Sequence, residues 1–264
     1  MNKRILAWWP KKPHPGNMGD IITPRIVKKL FGYDLEWFNK IYRTTEDILY
    51  GTGSIIGETV DNSVVWGSGL ISEFSASKAN VNANYIAVRG PITRELLQAK
   101  GISVPEVFGD PGLLVKEIIK EKENKKYDYG IIPHYVDYKE VKHHFKKDPN
   151  IKIIDVLNSN PLVPIKEIMQ CKKTVTSSLH GIIFSHAFNV PSSWVKFSNK
   201  LAGDDTKFFD YFLSIDVEKP ACTEISNSDM NINNINKLNY INIENNFDLS
   251  PLKKAFLKRF NGDN

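Results

Sequence analysis

Short apolar runs alternate with amphipathic stretches along most of the chain. Apolar runs that end at glycine or polar residues predict buried strands, and apolar residues three or four positions apart predict helices. The first such unit is a strand at 4–9, a loop rich in Pro and Gly at 10–20, and a helix at 24–31. Thr23 is a suitable N-cap for this helix, and Gly32 suits its C-terminal stop.

Further apolar runs in the first half each end in a turn that contains glycine. They predict strands at 47–50, 63–66 and 85–88, and another short strand within 104–115. Because ligands bind at the carboxyl ends of strands in an open parallel sheet, Gly67, Ser68 and Asp110 are candidate cleft residues. Close packing of loops explains the glycines equally well, and an Asp-Pro-Gly turn explains Asp110.

The second half repeats the alternation after a charged linker at 117–126. Strands are predicted at 127–132, 152–156, 173–176 and 192–197, with helices at 141–147, 164–171 and from about residue 180. Alternation of strand and helix indicates a second parallel sheet. The predicted fold is therefore α/β, with two Rossmann-like lobes at 1–120 and 127–222, and an Asn-rich segment with a terminal helix at 223–264.

The most informative stretch joins the strand at 173–176 to the following helix. Ser177 or Ser178 can cap that helix, and Gly181 allows a close approach to its backbone. His180 lies in the first turn, where free N–H groups and the helix dipole favour an anion. The alternative is a capped helix with a satisfied histidine.

Two arginines follow the predicted strand at 85–88. Arg89 lies at its carboxyl end, and Arg94 lies in the first turn of the next helix, where the dipole disfavours a cation. An anion between the two would explain this placement, since the guanidinium group suits carboxylate and phosphate. A surface ion pair of Arg94 with Glu95 or Glu106 is the alternative.

Polar residues in the second half add further candidates. His134 follows the strand at 127–132, where a strand delivers side chains into a crevice. Lys196, Asp204 and Lys207 flank a polar loop and are placed at the edge of a substrate. The tail at 249–260 predicts an amphipathic helix that either docks on the protein's own surface or contacts an anionic membrane.

Composition narrows the class of partner. The 264 residues carry a net charge of +5, which suits an anionic small substrate or an anionic lipid surface. The chain has no basic block interleaved with aromatic residues, so nucleic acid is not expected. Cys171 and Cys222 form neither a zinc motif nor a disulfide framework. The start of the chain is too short for a signal peptide, so a cytoplasmic location is expected.

Six motifs in order carry a resemblance to a known family. They are Gly16-Asn-Met-Gly-Asp20 with Thr23-Pro24, Trp66-Gly-Ser-Gly69, Val88-Arg-Gly-Pro91 with Thr93-Arg94, Gly109-Asp-Pro-Gly112, Ile132-Pro-His134 and Ser178-Leu-His-Gly181. Together they resemble the polysaccharide pyruvyltransferase family from about residue 14 to 212. The resemblance implies a GT-B-like fold with the active site in the cleft between two lobes.

The resemblance also implies a reaction. The pyruvyl group of phosphoenolpyruvate is transferred to two hydroxyls of a sugar, in a polysaccharide or its lipid-linked precursor, which gives a pyruvate ketal and phosphate. The family's functional arginine and histidine fall on Arg89 and His180. Some members have an arginine just before the Leu-His pair, where this chain has Ser178; Arg94 or the hydroxyls of Ser177 and Ser178 are candidates to replace it.

These inferences assign the candidate site. His180 is the candidate acid or base, with His134 second, and Arg89 is the third catalytic candidate. Neither metal nor cofactor is expected, because arginine and the helix dipole can offset the donor's charge. The residues expected to bind the donor are Arg89, Arg94, Ser177, Ser178 and Gly181. Those expected to contact the acceptor or line the cleft are Asn17, Asp20, Gly67, Ser68, Asp110 and Lys196.

Two other functions fit the same architecture. A nucleotide-sugar glycosyltransferase would use the second lobe for a diphosphate, but would usually need a carboxylate for the ribose. No compelling carboxylate follows residue 181. A non-catalytic sugar-binding protein would have no need of an anion site, which Arg89, His134 and His180 together indicate. Release of phosphate would indicate pyruvyl transfer, whereas release of a nucleoside diphosphate would indicate a glycosyltransferase.

Overall fold

The protein contains two five-stranded sheets, and the strands within each sheet are parallel. The computed structural model describes residues 3–11, 16–217, 222–243 and 247–262. The strands are β1 (Lys3–Ala7), β2 (Tyr33–Trp37), β3 (Ile48–Tyr50), β4 (Ser63–Trp66), β5 (Asn84–Ala87), β6 (Tyr127–Ile132), β7 (Ile151–Ile153), β8 (Cys171–Thr176), β9 (Ser192–Lys196) and β10 (Thr223–Glu224). The orders are β2-β1-β3-β4-β5 and β10-β9-β8-β6-β7. The predicted α/β fold with two parallel-sheet lobes is confirmed, and it is consistent with a GT-B-like arrangement.

Helices connect most of the consecutive parallel strands. They are α1 (Thr23–Phe31), α2 (Pro91–Gln98), α3 (Val115–Ile118), α4 (Tyr138–Phe145), α5 (Leu162–Met169), α6 (Leu179–Ala187), α7 (Thr206–Ser214), α8 (Ile232–Asn236) and α9 (Ser250–Asn261). In the second lobe α4, α5, α6 and α7 alternate strictly with the strands. Among the described residues, no helix has the length and apolar character needed to cross a membrane.

Two local predictions in the first lobe are wrong. Thr23 is the first residue of α1 and not its N-cap, and its hydroxyl hydrogen-bonds Thr52 Oγ1 at 2.7 Å. The stretch 104–115 holds a single bridge between Val88 and Phe108, followed by a 3₁₀ turn. The predicted stop at Gly32 is confirmed, since this glycine has a φ of 77° at the end of α1.

The C-terminal helix α9 docks on the first lobe. Leu252 and Phe256 are fully buried, and the Leu252 carbonyl accepts a hydrogen bond from Trp66 Nε1 at 2.8 Å. The Phe256 ring stacks on Phe31 at 4.2 Å between centroids and lies 4.9 Å from the Trp66 ring. The apolar side of α9 therefore faces the protein's own core.

The described part of the Asn-rich segment belongs to the second lobe. Strand β10 pairs with β9, and Ile225, Met230 and Ile235 are buried in the core around β6 and β8. A bridge between Ser192 and Ile241 continues this packing. The predicted third segment thus divides between the two lobes. Residues 12–15 of the N-terminal loop and 244–246 of the Asn-rich segment lie outside the described residues.

Helix α7 joins the lobes. It follows β9 in the second lobe, where Phe208 stacks on Trp194, and it also packs on α2 of the first lobe. Asp210 of α7 accepts hydrogen bonds from Arg89 Nε at 3.0 Å and from the backbone N–H of Thr93 at 2.8 Å. Neither Arg89 nor Asp210 has any exposed side-chain area. A buried ion pair thus fixes the two lobes against each other.

The aromatic packing of α9 predicts a stability effect. Phe256→Ala removes a fully buried ring, so we expect the free energy of unfolding to fall by about 3–5 kcal/mol. Leu257→Ala, on the 36% exposed neighbouring position, should change it by only about 0.5 kcal/mol. Urea unfolding of both variants measures the difference. Equal losses would mean that α9 does not anchor the first lobe.

The interlobe ion pair predicts a second effect. Asp210→Asn keeps the side-chain shape but leaves the buried Arg89 charge uncompensated, so we expect a loss of about 3–5 kcal/mol. The exposed pair of Lys28 and Asp34, 2.7 Å apart, provides the control. Asp34→Asn should cost only about 0–1 kcal/mol. A small loss for Asp210→Asn would show that the charges are not needed to hold the lobes together.

Candidate active site

A cleft of about 270 Å³ lies between the lobes, at the carboxyl ends of strands from both sheets. Its position agrees with the expectation for open parallel sheets, in which the loops after the strands carry the ligand. The first lobe contributes Asn17, Asp20 and Ser54, which follow β1 and β3. The second lobe contributes polar residues that follow β6, β8 and β9: His134, Ser178, His180, Lys200 and Lys207.

His180 lies at the start of α6, with 9% of its side chain exposed. Its Nε2 atom is buried without a hydrogen-bond partner, 3.9 Å from Asp110 Oδ2, which also lacks a partner. Burial, together with the positive charges of Arg89 and Lys207, lowers the pKa of His180 to about 3. The imidazole is therefore neutral at physiological pH and able to accept a proton.

The loop after β1 is shaped to the His180 ring. A Cβ atom on Gly19 would lie 1.9 Å from the ring, so only glycine fits at this position. Asn17 holds the turn, because its Oδ1 accepts a hydrogen bond from the Gly19 N–H at 3.1 Å. The same loop reaches the second lobe through a bridge between Asn17 and Leu157. The Asn-Met-Gly-Asp motif thus belongs to the cleft by packing as well as by position.

The two serines and Gly181 have roles other than those predicted. Neither serine caps α6: Ser178 makes no side-chain cap, and Ser177 Oγ accepts the backbone N–H of His134 at 2.9 Å. The close approach to Gly181 is made by the protein's own Thr176, because a Cβ on Gly181 would lie 2.3 Å from Thr176 Oγ1. Ser178 lines the cleft, so the N-terminal end of α6 faces it without a side-chain cap.

The two arginines are not at the surface of the cleft. Besides its bond to Asp210, Arg89 donates to Ser54 Oγ at 2.7 Å and to the Leu70 carbonyl at 2.7 Å. Its side chain is fully buried, so a direct contact with a donor would require this packing to open. Arg94 Nε donates to the Val104 carbonyl at 3.1 Å and does not line the cleft. The predicted anion between Arg89 and Arg94 has no place in this packing.

The glycine-rich turn after β4 and Asp110 form the layer behind the cleft. Ser68 is fully buried and donates to the Gly53 carbonyl at 2.8 Å. A Cβ on Gly67 would lie 2.4 Å from the Pro111 ring, so this glycine permits loop packing. Asp110 accepts the Gly112 N–H at 2.7 Å and directs its other oxygen toward His180. Burial raises the pKa of Asp110 to about 6.

Asp20 and Lys207 give the cleft two further titratable groups. Burial raises the pKa of Asp20 to about 7, an effect that Lys207 opposes and Asp110 reinforces. Burial and the charge of Arg89 lower the pKa of Lys207 to about 8, against the attraction of Asp20. Burial and Lys207 likewise lower the pKa of His134 to about 4. Near neutral pH, Asp20 is the residue poised to exchange a proton.

Some cleft residues were not recognised in the sequence. Ser54 lies in the short loop just after β3, so its position near a strand end was an available signal. Tyr135 and Lys200 lie on loops whose path the local pattern does not determine. Lys196, predicted to line the cleft, lines instead an adjacent cavity and pairs with Asp205 at 2.5 Å. In the described ranges, no three His, Cys, Asp or Glu side chains are grouped as a metal site would require.

Comparison with known proteins identifies the family. An uncharacterized protein of Acanthamoeba polyphaga mimivirus is 38% identical over 187 residues, which cover 67% of this chain. The chain spans 64% of that relative's length. A sequence model of the polysaccharide pyruvyl transferase family matches residues 28–199, which is more than half of the chain and includes both His134 and His180. The protein therefore belongs to the polysaccharide pyruvyl transferase family.

Proposed function

We propose that the protein transfers the pyruvyl group of phosphoenolpyruvate to two hydroxyls of one sugar, and so forms a cyclic ketal. The acceptor is a polysaccharide unit or its lipid-linked precursor. The observation that carries the proposal is the position of His180, which lies 3.9 Å from Asp110 and faces a cleft that also holds Asp20 and Lys207. Such a cleft combines a base, an acid and a cation, which this transfer requires.

The reaction needs two proton movements that balance. One sugar hydroxyl adds to C2 of phosphoenolpyruvate, the methylene carbon gains a proton and becomes a methyl group, and phosphate later leaves from C2. The second hydroxyl then attacks C2 and closes the ring. The loss of one hydroxyl proton is balanced by the proton that the methyl carbon gains. The other hydroxyl proton leaves with phosphate.

We assign to His180 the removal of a hydroxyl proton; its low pKa makes it a weak base in the free protein, and the negative charge of a bound donor would raise that pKa. A proton on Nε2 would face Asp110 Oδ2, which is 3.9 Å away and ionised above its pKa of about 6. Nδ1 is then the ring nitrogen that accepts the proton, while Asp110 stabilises the imidazolium that forms. His134, also neutral at pH 7, is the second candidate in the same cleft.

Asp20 is suited to the delivery of a proton to carbon. With a pKa of about 7 it is partly protonated at neutral pH, whereas an ordinary aspartic acid would be ionised. Asp20 and His180 line the cleft from opposite lobes, so a substrate between them meets an acid on one side and a base on the other. Burial keeps His180 neutral, and Arg89 in the layer behind the cleft adds to this effect through its charge.

The first test is the loss of catalysis on removal of the His180 ring. Phosphate release from phosphoenolpyruvate is measured with a panel of methyl glycosides as acceptors. His180→Ala should lower kcat by about 100- to 10,000-fold, the usual contribution of a general base. His143→Ala, on the exposed face of α4, is the matched control and should retain full activity.

The outcome of that assay also decides between reaction classes. Near-normal turnover by a folded His180→Ala variant would overturn the role of this residue. Release of a nucleoside diphosphate from a nucleotide-sugar, with no phosphate from phosphoenolpyruvate, would replace the proposal by glycosyl transfer. Melting temperatures of all variants are compared first, so that unfolding is not mistaken for lost catalysis.

The pH profile tests the role of Asp20. If the protonated carboxyl delivers the proton, kcat should be level below about pH 6 and fall tenfold per pH unit well above pH 7. Asp20→Asn should lower kcat and abolish this decline, because the amide does not titrate. Asp20→Glu should keep a decline with a shifted midpoint. A decline that persists unchanged in Asp20→Asn would assign it to another group.

A further inference from the structure

A smaller cavity of about 140 Å³ adjoins the cleft within the second lobe. Its polar lining comes from the ends of β8 and β9 and the loop that follows, and includes Ser177, Lys196, Ser198 and Asn199. Lys207 and Ala202 line both this side cavity and the cleft. Lys207 therefore stands where the two spaces meet, and an anion beside it could extend from one into the other.

Lys207 has an unusual position for a cation. It is the second residue of α7, in the first helical turn, where the dipole is already positive. Its ammonium group makes one long hydrogen bond, 3.4 Å to the Ala202 carbonyl, and lies 5.4 Å from the centre of the Phe208 ring, but it forms no ion pair with another described residue. By contrast, Arg89 is bound to Asp210 and Lys196 to Asp205. Lys207 is thus a cation with donor capacity left for a ligand.

The side cavity offers the other donors that a phosphate group needs. Ser177 Oγ accepts the His134 N–H, which leaves its own proton free to be donated into the cavity. The Asn199 amide lines the same space. The Asp205 carboxylate also lines it, but its charge is offset by Lys196 at 2.5 Å. The net character of the side cavity is therefore that of a small anion site.

We infer that the side cavity, with Lys207 between it and the cleft, binds the phosphate group of the donor. The rest of the donor then lies in the cleft, where C2 and the methylene carbon meet His180 and Asp20. This inference rests on the proposed function for the identity of the donor. It assigns to Lys207 the cationic role that the sequence suggested for Arg89 and Arg94.

Charge on Lys207 should govern affinity. The ionisable and charged groups that face it are Asp20 on the first lobe, Asp204 and Asp205 in the loop just before α7, Arg89 behind the cleft, and His134 and His180 beside it. The pKa of Lys207 in the free protein is about 8. Affinity for a phosphate should therefore fall as the pH rises beyond 8, where Lys207 loses its charge.

Isothermal titration tests the inference with phosphoenolpyruvate, inorganic phosphate and pyruvate as separate probes. Lys207→Met should weaken the binding of phosphoenolpyruvate and of inorganic phosphate by about 10- to 100-fold, and leave pyruvate unaffected. Lys29→Met, at an exposed position on α1, is the control and should bind all probes as the wild type does. Lys207→Arg should bind phosphate and lose the decline above pH 8, because arginine stays charged.

The probes distinguish failure of this inference from failure of the proposed function. Equal affinity of phosphoenolpyruvate for the wild type and for Lys207→Met would overturn the phosphate site. It would not contradict the proposed reaction. If inorganic phosphate binds in a Lys207-dependent way and phosphoenolpyruvate binds no more tightly than it, the result would support the anion site. The same result would count against phosphoenolpyruvate as the donor. No binding of either phosphate to the wild type would overturn the inference.

Discussion

The buried ion pair between Arg89 and Asp210 is the interaction on which the site depends. Asp210 also accepts both the backbone N–H and the hydroxyl of Thr93, so one carboxylate from α7 ties together the start of α2 and the end of β5. Because both charges are removed from water, their attraction is strong and either one alone would be costly. The pair holds the lobes at a fixed separation and places a permanent positive charge behind His180.

That charge has a chemical consequence as well as a structural one. A histidine buried beside Arg89 and Lys207 stays neutral, whereas desolvation raises the pKa of Asp20, which is half-buried on the opposite side, to about 7. The two groups in one cleft are thereby driven in opposite directions, the histidine toward its unprotonated form and the carboxyl group toward its protonated form. The same burial that closes the interlobe packing thus tunes the groups that the proposed reaction uses.

Close packing explains why several motifs occur together in this chain. Gly19 lies against the His180 ring, Gly181 against Thr176, and a Cβ on Gly69 would lie 2.3 Å from the Arg89 guanidinium carbon. Each glycine makes room for a side chain that another motif supplies or supports. The motifs are separated along the sequence, but in the fold they form one contiguous layer of packed groups.

The sequence by itself determined the α/β class, the two sheets and the strand ends at which the cleft forms, because periodicity and turn chemistry are local properties. It also located His180, Asp20 and His134, since residues after parallel strands meet at one edge. Only the tertiary structure decided which cations reach the cleft. Arg89 is held away from the cleft by its ion pair with Asp210, which lies 121 positions away in the sequence. No local pattern encodes that contact. The same long-range packing places Lys207 at the cleft without an ion pair to a described residue, so the electrostatics of the site came from the fold.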